Sequence, residues 1–190
     1  MAKASSEQRT GKIAVSAPAR GVLALAGGVG GAKLAVGLAR ILPPDALTIV
    51  VNTGDDETFF GLHVSPDIDT VTYSLAGLAN PDTGWGFAGD TFNALDTLGR
   101  LGAETWFGLG DHDLALQIRR TEMLRGGMTL SEVTLDLARR MGVDHPVVPM
   151  SDDPVRTIVE SDDGEMSFQE YFVRRRAEPE VRGLRFDGAD

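Results

Sequence analysis

The sequence contains no cysteine, so it can form no disulfide, no zinc–thiolate site and no thiol nucleophile. It has no apolar run of the length that a membrane span needs, and its first twenty residues lack the apolar centre of a secretory signal. Positive charge is also scarce, because 18 Lys and Arg stand against 28 Asp and Glu. Non-specific nucleic-acid binding requires cations that neutralise phosphates, so this balance disfavours it. We therefore expect a cytoplasmic protein with no nucleic-acid or membrane partner, whose residues 1–20 form a disordered arm.

Apolar residues are plentiful by contrast, at 42% of the 190 positions, which is enough for the core of one domain. Two apolar segments, Val22–Ala26 and Leu47–Val51, flank a helical pattern that begins at about Ala32 and stops at Pro43-Pro44. The second segment reads LTIVV, which is typical of a strand buried on both faces of a parallel sheet. Strand, helix and strand within about thirty residues form a βαβ unit, so we predict an α/β fold with parallel strands.

The rest of the chain alternates between loops and helical segments. We expect an acidic loop over 52–69, helices at 70–78, at 90–102, after 113 and at 129–141, a strand at 147–148, and a hairpin with arms at 157–160 and 167–172. The helix after 113 is expected to use Leu114, Ile118 and Met123 or Leu124 as its inner face.

Four glycines separate the first apolar segment from the helix. Gly27, Gly28, Gly30 and Gly31 leave room for a ligand beside the unpaired N–H groups of the helix N-terminus, where a phosphate is stabilised. The motif is not a Walker A loop, because no Ser or Thr follows Lys33. It is also not a complete dinucleotide fingerprint, because Lys33 stands where the third glycine belongs. We predict a phosphate or nucleotide site here. The alternative is a tight turn without a ligand.

Polar side chains gather after the second strand. Asn52 ends this strand and Asp55 follows it, while Asp67 and Asp69 precede the next helix. Ligands of open α/β sheets bind at the carboxyl ends of the strands, and carboxylates there suit Mg²⁺. Asp55 is the stronger candidate, because Asp67 or Asp69 could instead cap the helix that follows.

A second polar group occurs in a glycine turn at Asp111-His112. A histidine between two acids in such a turn is a candidate functional residue, and a structural role is the alternative. Trp85 and Trp106 could line a flat pocket or fill the core.

Several segments together resemble one known family. They read LAGGVGGAKLAVGL, VVNTGDD, SPDIDTV, LGDHD, MSDDPV and FQEYFVRRR, in that order, between about Leu23 and Phe186. The sequence resembles the N-terminal portion of the 2-phospho-L-lactate transferases of coenzyme F420 biosynthesis. The glycine turn alone would not separate this family from its relatives, whereas the later segments do.

The resemblance implies a Rossmann-like parallel sheet with an inserted α+β region. It implies transfer of a phospholactyl or phosphoenolpyruvyl group from a GMP-activated diphosphate donor to the ribityl hydroxyl of the deazaflavin Fo. The products would be GMP and F420-0 or its dehydro form, and Mg²⁺ would be required. We also expect a homodimer.

Residue by residue, the resemblance implies that Gly27–Lys33 faces the donor diphosphate together with Asn52. Asp55 and Asp69 would be catalytic, binding Mg²⁺ or orienting the Fo hydroxyl, and Asp111 and His112 would lie near Fo. Family members often carry Arg where His112 stands, which makes anion binding there weaker and dependent on pH.

The family resemblance also implies an organisation in parts. Residues 21–84 would form the nucleotide- and metal-binding part, and 85–190 the inserted deazaflavin-binding region with the start of a return to the core. Family chains continue beyond this C-terminus, so the sequence looks C-terminally truncated. We expect the 190-residue chain alone to be marginally stable or self-associating, and inefficient in transfer.

Two other functions are weighed against the transferase. A sister family of non-catalytic, nucleotide-sugar-binding regulators has a similar glycine turn, but it would lack the LGDHD and FQEYFVRRR segments found here. An NAD-dependent oxidoreductase is disfavoured by Lys33 and by the missing ribose-binding acid.

Overall fold

The computed structural model describes residues 21–189, and the predicted arm at 1–20 lies outside them. Its strands are β1 Val22–Ala26, β2 Leu47–Val51, β3 Glu57–Phe59, β4 Leu62–Val64, β5 Val147–Pro149, β6 Arg156–Ser161, β7 Gly164–Ser167 and β8 Val181–Asp187. Its α-helices are α1 Gly28–Ala39, α2 Pro66–Ala76, α3 Asn93–Arg100, α4 Asp111–Arg125 and α5 Leu130–Arg140. A 3₁₀ turn covers Pro44–Ala46 and a π-helical turn covers Glu170–Arg174.

A parallel sheet in the order β1-β2-β5 confirms the predicted α/β fold. Helices α1, α2 and α5 pack against it around a core that includes Ala35, Ile49 and Val71. The prediction that β2 is buried on both faces is wrong, because its burial alternates along the strand. Leu25 shows why: it lies on the other face of the same sheet and is 74% exposed. The carboxyl ends of all three strands meet at one edge, where the candidate site lies.

Helix α1 begins at Gly28, four residues before the predicted start, and Gly27 is its N-cap. The glycines therefore form the first turn of the helix instead of a loop before it. Close packing of α1 on β1 requires glycine at position 31. A Cβ on Gly31 would lie 2.9 Å from the Cα of Ala26, so a side chain would force α1 away from β1. Such close packing of strand and helix is a known use of glycine at this place.

The segment predicted as a loop over 52–69 contains the antiparallel hairpin β3–β4. Helix α2 then begins at Pro66, because Pro is well suited to a first helical turn and Asp67 and Asp69 follow it there. The C-terminal hairpin is confirmed as β6–β7 within an antiparallel sheet of order β7-β6-β8. Its second arm lies earlier than predicted, at Gly164–Ser167, and most of the predicted arm over 167–172 is helical instead.

Helix α4 has the predicted inner face only in part, because Leu114 and Met123 are buried as predicted but Ile118 is not. Ile118 is 56% exposed, whereas Asp113, Gln117 and Arg120 are buried with Leu114 and Met123. Within residues 21–189, no helix is both long and apolar enough to cross a membrane.

Candidate functional site

The N-terminus of α1 holds a carboxylate from α2. The backbone N–H of Gly28 donates a hydrogen bond to Asp67 Oδ1 at 2.7 Å, and Asn52 Nδ2 donates to Asp67 Oδ2 at 3.0 Å. A Cβ at Gly27 would lie 3.0 Å from Asp67 Oδ2, so a side chain there would crowd this carboxylate. Asp67 therefore caps α1, the helix of the glycine turn, in addition to lying in the first turn of α2.

Asp55 lies beside this cap, in the loop that follows β2. The same Asn52 amide nitrogen donates to Asp55 Oδ1 at 3.0 Å, and Gln169 Nε2 donates to Asp55 Oδ2 at 3.1 Å. Both donors are neutral. Burial, and then the nearby charge of Asp67, raise the pKa of Asp55 to about 8. Asp55 and Asp67 thus form a pair of acids that share one amide donor.

Asp69, the other predicted metal ligand, is paired already. Both of its oxygens accept hydrogen bonds from the buried guanidinium of Arg120, and Gln117 Nε2 donates to Oδ2 at 2.8 Å. Arg120 and Asp69 are both buried, so the two charges compensate each other away from water. Asp67, unlike Asp69, is therefore a second carboxylate beside Asp55 that has no cationic partner in the described residues.

The residues present fit a cation that has few protein ligands. In the described part of the chain, neither Asp55 nor Asp67 forms an ion pair, and no three His, Asp or Glu side chains are grouped closely enough to hold a metal. Mg²⁺ commonly uses one or two carboxylates and completes its shell with water and substrate phosphates. Two uncompensated carboxylates at the edge of the sheet match that donor set.

The remaining residues of the glycine turn are open to a ligand. A Cβ at Gly30 would meet no atom within 4 Å, and Lys33 is exposed on the next turn. The N–H groups of Val29 and Gly30 lie in the first turn of α1, where they have no acceptor within the helix. Gly28 is already engaged by Asp67. Two donors therefore stay available for an anion.

Asp111 and His112 belong to a pair of reciprocal helix caps. Asp111 accepts hydrogen bonds from the backbone of Ala94 at 3.0 Å and from the Thr91 hydroxyl at 2.6 Å, at the start of α3. Asp90 accepts from the backbone of His112 at 2.9 Å and contacts its Nδ1 at 2.8 Å, at the start of α4. Neither Asp111 nor His112 hydrogen-bonds to Asp55 or to the glycine turn within residues 21–189. A position near Fo stays a prediction for both.

Sequence reasoning missed the buried network of α4. Tyr73 donates to Asp113 Oδ1 at 2.9 Å, and Gln117 and Arg120 bind Asp69. Asp113, Gln117 and Arg120 recur at the spacing of one helical face, so a polar stripe was visible in the sequence. Gln169, which contacts Asp55 from 114 residues away, carried no local signal.

Asp113 gives a testable pH dependence. Burial raises its pKa to about 6, above the ordinary value of 3.8. Between these values the folded state holds a proton that the unfolded chain has lost, so this contribution to stability falls as pH rises. Between about pH 4 and 6, the free energy of unfolding of wild type should fall by on the order of 2 kcal/mol relative to that of Asp113→Asn. Urea unfolding across this range measures the difference, and parallel pH profiles of the two proteins would contradict the prediction.

The sequence model of the family described as 2-phospho-L-lactate transferase CofD matches residues 22–190. The chain belongs to this family. The match therefore covers the glycine turn, the acid pair and the α4 network together.

Individual CofD relatives agree with this assignment. A 2-phospho-L-lactate transferase of Methanopyrus kandleri is 46% identical over 87% of this chain and 53% of its own length. A phosphoenolpyruvate transferase of Streptomyces avermitilis is 48% identical over 82% of this chain and 50% of its own length. The chain thus spans about half the length of these curated relatives.

A solved structure supports the CofD chain's fold. A member of the UPF0052 family from Bacillus halodurans superposes with a TM-score of 0.52 at 16% identity, covering 89% of this chain and 51% of that one. At this identity the likeness concerns the fold alone.

Proposed function

We propose that this chain carries the donor- and metal-binding part of a transferase of coenzyme F420 biosynthesis. The reaction moves a phospholactyl or phosphoenolpyruvyl group from a GMP-activated diphosphate to the ribityl hydroxyl of the deazaflavin Fo. The single observation that supports it most is the uncompensated pair Asp55 and Asp67 beside the N-terminus of α1, in a chain of the CofD family.

Asp55 and Asp67 would hold Mg²⁺ in this proposal. When bound, Mg²⁺ offsets negative charge on the diphosphate and on the transition state. Asn52 fixes both carboxylates through one amide group, so their separation is set before any ligand arrives. For Asp69 we propose an anchoring role at the start of α2 in place of metal binding, and its pairing with Arg120 supports this. It is a positioning residue for the neighbouring Asp67.

The glycine turn would hold the donor. The N–H groups of Val29 and Gly30 donate to non-bridging diphosphate oxygens, and the positive end of the α1 dipole adds to this attraction. The hydroxyl oxygen of the acceptor then forms a bond to the phosphorus that carries the three-carbon acid. The bond from that phosphorus to the GMP oxygen breaks, GMP leaves with the electron pair, and the hydroxyl proton passes to solvent water. Positioning and charge neutralisation supply the catalysis.

A single-turnover experiment tests the proposal. The protein in excess over Fo, with the GMP-linked donor and Mg²⁺, should yield equal amounts of GMP and a deazaflavin phosphodiester, detected by mass spectrometry. Excess protein makes slow transfer visible. Release of GMP without the phosphodiester would indicate a hydrolase, and recovery of intact donor and Fo would reject transfer by this chain.

Two glycines of α1 form a matched pair for testing the donor site. A Cβ at Gly30 or at Gly37 meets no atom within 4 Å, so alanine fits at both. Each replacement should stabilise the helix by about 0.5–1 kcal/mol. Gly30→Ala alone should weaken donor binding, by roughly 10-fold or more, because its methyl group lies where diphosphate oxygens approach. Titration calorimetry with the donor and Mg²⁺ measures this. Equal donor affinity in the two variants would show that the glycine turn does not contact the donor.

A further inference from the structure

Gln169 reaches the candidate site from another part of the fold. Its Nε2 lies 3.1 Å from Asp55 Oδ2 and 3.2 Å from the backbone oxygen of Asp55, so it donates to both. Gln169 is only 5% exposed and Asp55 is 7% exposed, so water does not readily replace this contact. One amide group therefore fixes the main chain and the carboxylate of Asp55 together.

The two amide donors of Asp55 come from different elements. Asn52 belongs to the same loop after β2 and holds Oδ1, whereas Gln169 follows β7 of the antiparallel sheet and holds Oδ2. Neutral donors orient a carboxylate without supplying a counter-charge, so a cation can still bind it. Within residues 21–189, Gln169 is the one hydrogen-bond donor to Oδ2. The orientation of this oxygen therefore depends on where Gln169 is held.

Residues 168–174, here called the Gln169 turn, form an irregular helical segment. Its part Glu170–Arg174 is a π-helical turn, and such turns are rare and frequently occur at functional sites. Just beyond it, Arg176 and Ala177 have φ values of 53° and 55°, which disfavour residues other than glycine. Strain of this kind persists only where surrounding contacts determine the path of the chain. The Gln169 turn is thus a constrained segment.

The far end of the Gln169 turn is attached to the segment between α3 and α4. Arg174 donates to both carboxylate oxygens of Glu104, at 3.0 and 3.3 Å, and its guanidinium carbon lies 5.7 Å from the centre of the Trp106 ring. An exposed ion pair contributes little by itself, but a paired guanidinium that also lies over an aromatic ring is held in one orientation. The Gln169 turn is therefore held by Asp55 at one end and by Glu104 and Trp106 at the other.

We propose that Gln169 is a positioning residue for Asp55, and that Arg174 holds the Gln169 turn so that this amide stays on the carboxylate. The inference deepens the proposed function and rests on it, because the carboxylate is positioned there for Mg²⁺. Gln169 acts through Asp55 and does not touch the ion. Donors that orient a metal ligand in this way account for roughly 10- to 100-fold in metal affinity.

Mn²⁺ binding followed by electron paramagnetic resonance tests the role of Gln169. Gln169→Leu keeps most of the side-chain volume and removes both hydrogen bonds. Mn²⁺ should bind to it at least ~10-fold more weakly than to wild type, with a changed spectrum of the bound ion. A residue with only a structural role would lower the unfolding temperature and leave the affinity of the folded protein unchanged. Wild-type Mn²⁺ affinity in folded Gln169→Leu would overturn the proposal.

Arg174→Gln tests the attachment of the Gln169 turn at the surface, where folding does not depend on it. It should weaken Mn²⁺ binding at least ~3-fold, and it should add no further loss to Gln169→Leu, because Arg174 acts only through Gln169. Arg175→Gln is the matched control, since the neighbouring Arg175 pairs with Asp163 instead, and it should bind Mn²⁺ as wild type does. Equal affinities of Arg174→Gln and Arg175→Gln would reject the role of Arg174, and they decide the test if Gln169→Leu does not fold.

A double-variant cycle in EDTA separates this inference from the proposed function. Urea midpoints of Asp55→Ala, Gln169→Leu and their combination measure the coupling of the two side chains without metal. Gln169→Leu should cost less stability when the Asp55 carboxylate is already absent. This coupling in a wild type that binds no Mn²⁺ would reject the metal site and keep Gln169 as the residue that positions Asp55. Additive losses would overturn the inference, whatever the metal result.

Discussion

Asp55→Asn is expected to reduce the rate of transfer by roughly 10²- to 10³-fold. In the metal-free protein, the same change should make the free energy of unfolding depend less on pH. The loss of transfer follows because Asp55 is a principal carboxylate of the proposed Mg²⁺ site. The variant should be more stable than wild type at higher pH because burial and Asp67 raise the pKa of Asp55 to about 8, from an ordinary value of 3.8. Between these values folding requires a proton that the unfolded chain does not hold, so wild type loses stability as pH rises.

The size of this effect is measurable in EDTA. Between about pH 5 and 7, the free energy of unfolding should shift in favour of Asp55→Asn by about 2–3 kcal/mol. Chemical denaturation at several pH values measures it, and added Mg²⁺ should stabilise wild type but not the variant. A variant that transfers at the wild-type rate under saturating Mg²⁺ would remove Asp55 from the mechanism. A pH profile parallel to that of wild type would show that Asp55 is not held in a buried, acid-rich place.

Arg120→Met is expected to lower the free energy of unfolding by about 3–5 kcal/mol. Methionine keeps much of the length of the side chain but removes the cation that compensates Asp69. Gln117 would remain as a neutral donor to a buried charge, which is a weak substitute. Loss of this anchor should also move α2 and Asp67, so Mg²⁺ affinity should fall in the same variant.

An exposed ion pair supplies the control for Arg120. Arg140 pairs with Asp136 on the surface of α5, and Arg140→Met should lower the free energy of unfolding far less than Arg120→Met does. The double variant Asp69→Leu with Arg120→Met should recover part of the loss, because it leaves no buried charge unpaired. Equal urea midpoints for Arg120→Met and Arg140→Met would show that the buried pair contributes no more than a surface pair.

The glycine turn shows how far the sequence could predict the site. Strand, helix and strand were predicted correctly as a βαβ unit, because those signals are local, and the phosphate site at the glycines stays a prediction. The partner of Gly28 was not predicted, since Asp67 reaches it from 39 residues away through the placement of α2. A helix N-terminus attracts any negative group, and the sequence could not tell whether a carboxylate of the protein or a phosphate would come first.

Helix α4 shows a different limit. Its inner face was predicted from apolar spacing, on the assumption that buried positions are apolar. The structure also buries Asp113, Gln117 and Arg120, because each of them hydrogen-bonds to a side chain of α2. Whether a polar stripe faces water or a partner depends on tertiary contacts, and Gln169 beside Asp55 illustrates the same point over a longer separation. Periodicity finds a face, but it does not show what that face contacts.

In the proposed function, Asp55 and Asp67 together form the metal site. The most direct measurement is the number of Mn²⁺ ions bound per chain, followed by electron paramagnetic resonance with Mg²⁺ as the competitor. Wild type should bind one displaceable ion, Asp67→Asn should bind it at least ~10-fold more weakly, and Asp55→Asn should not bind it. One displaceable ion bound by Asp55→Asn with wild-type affinity would contradict the account.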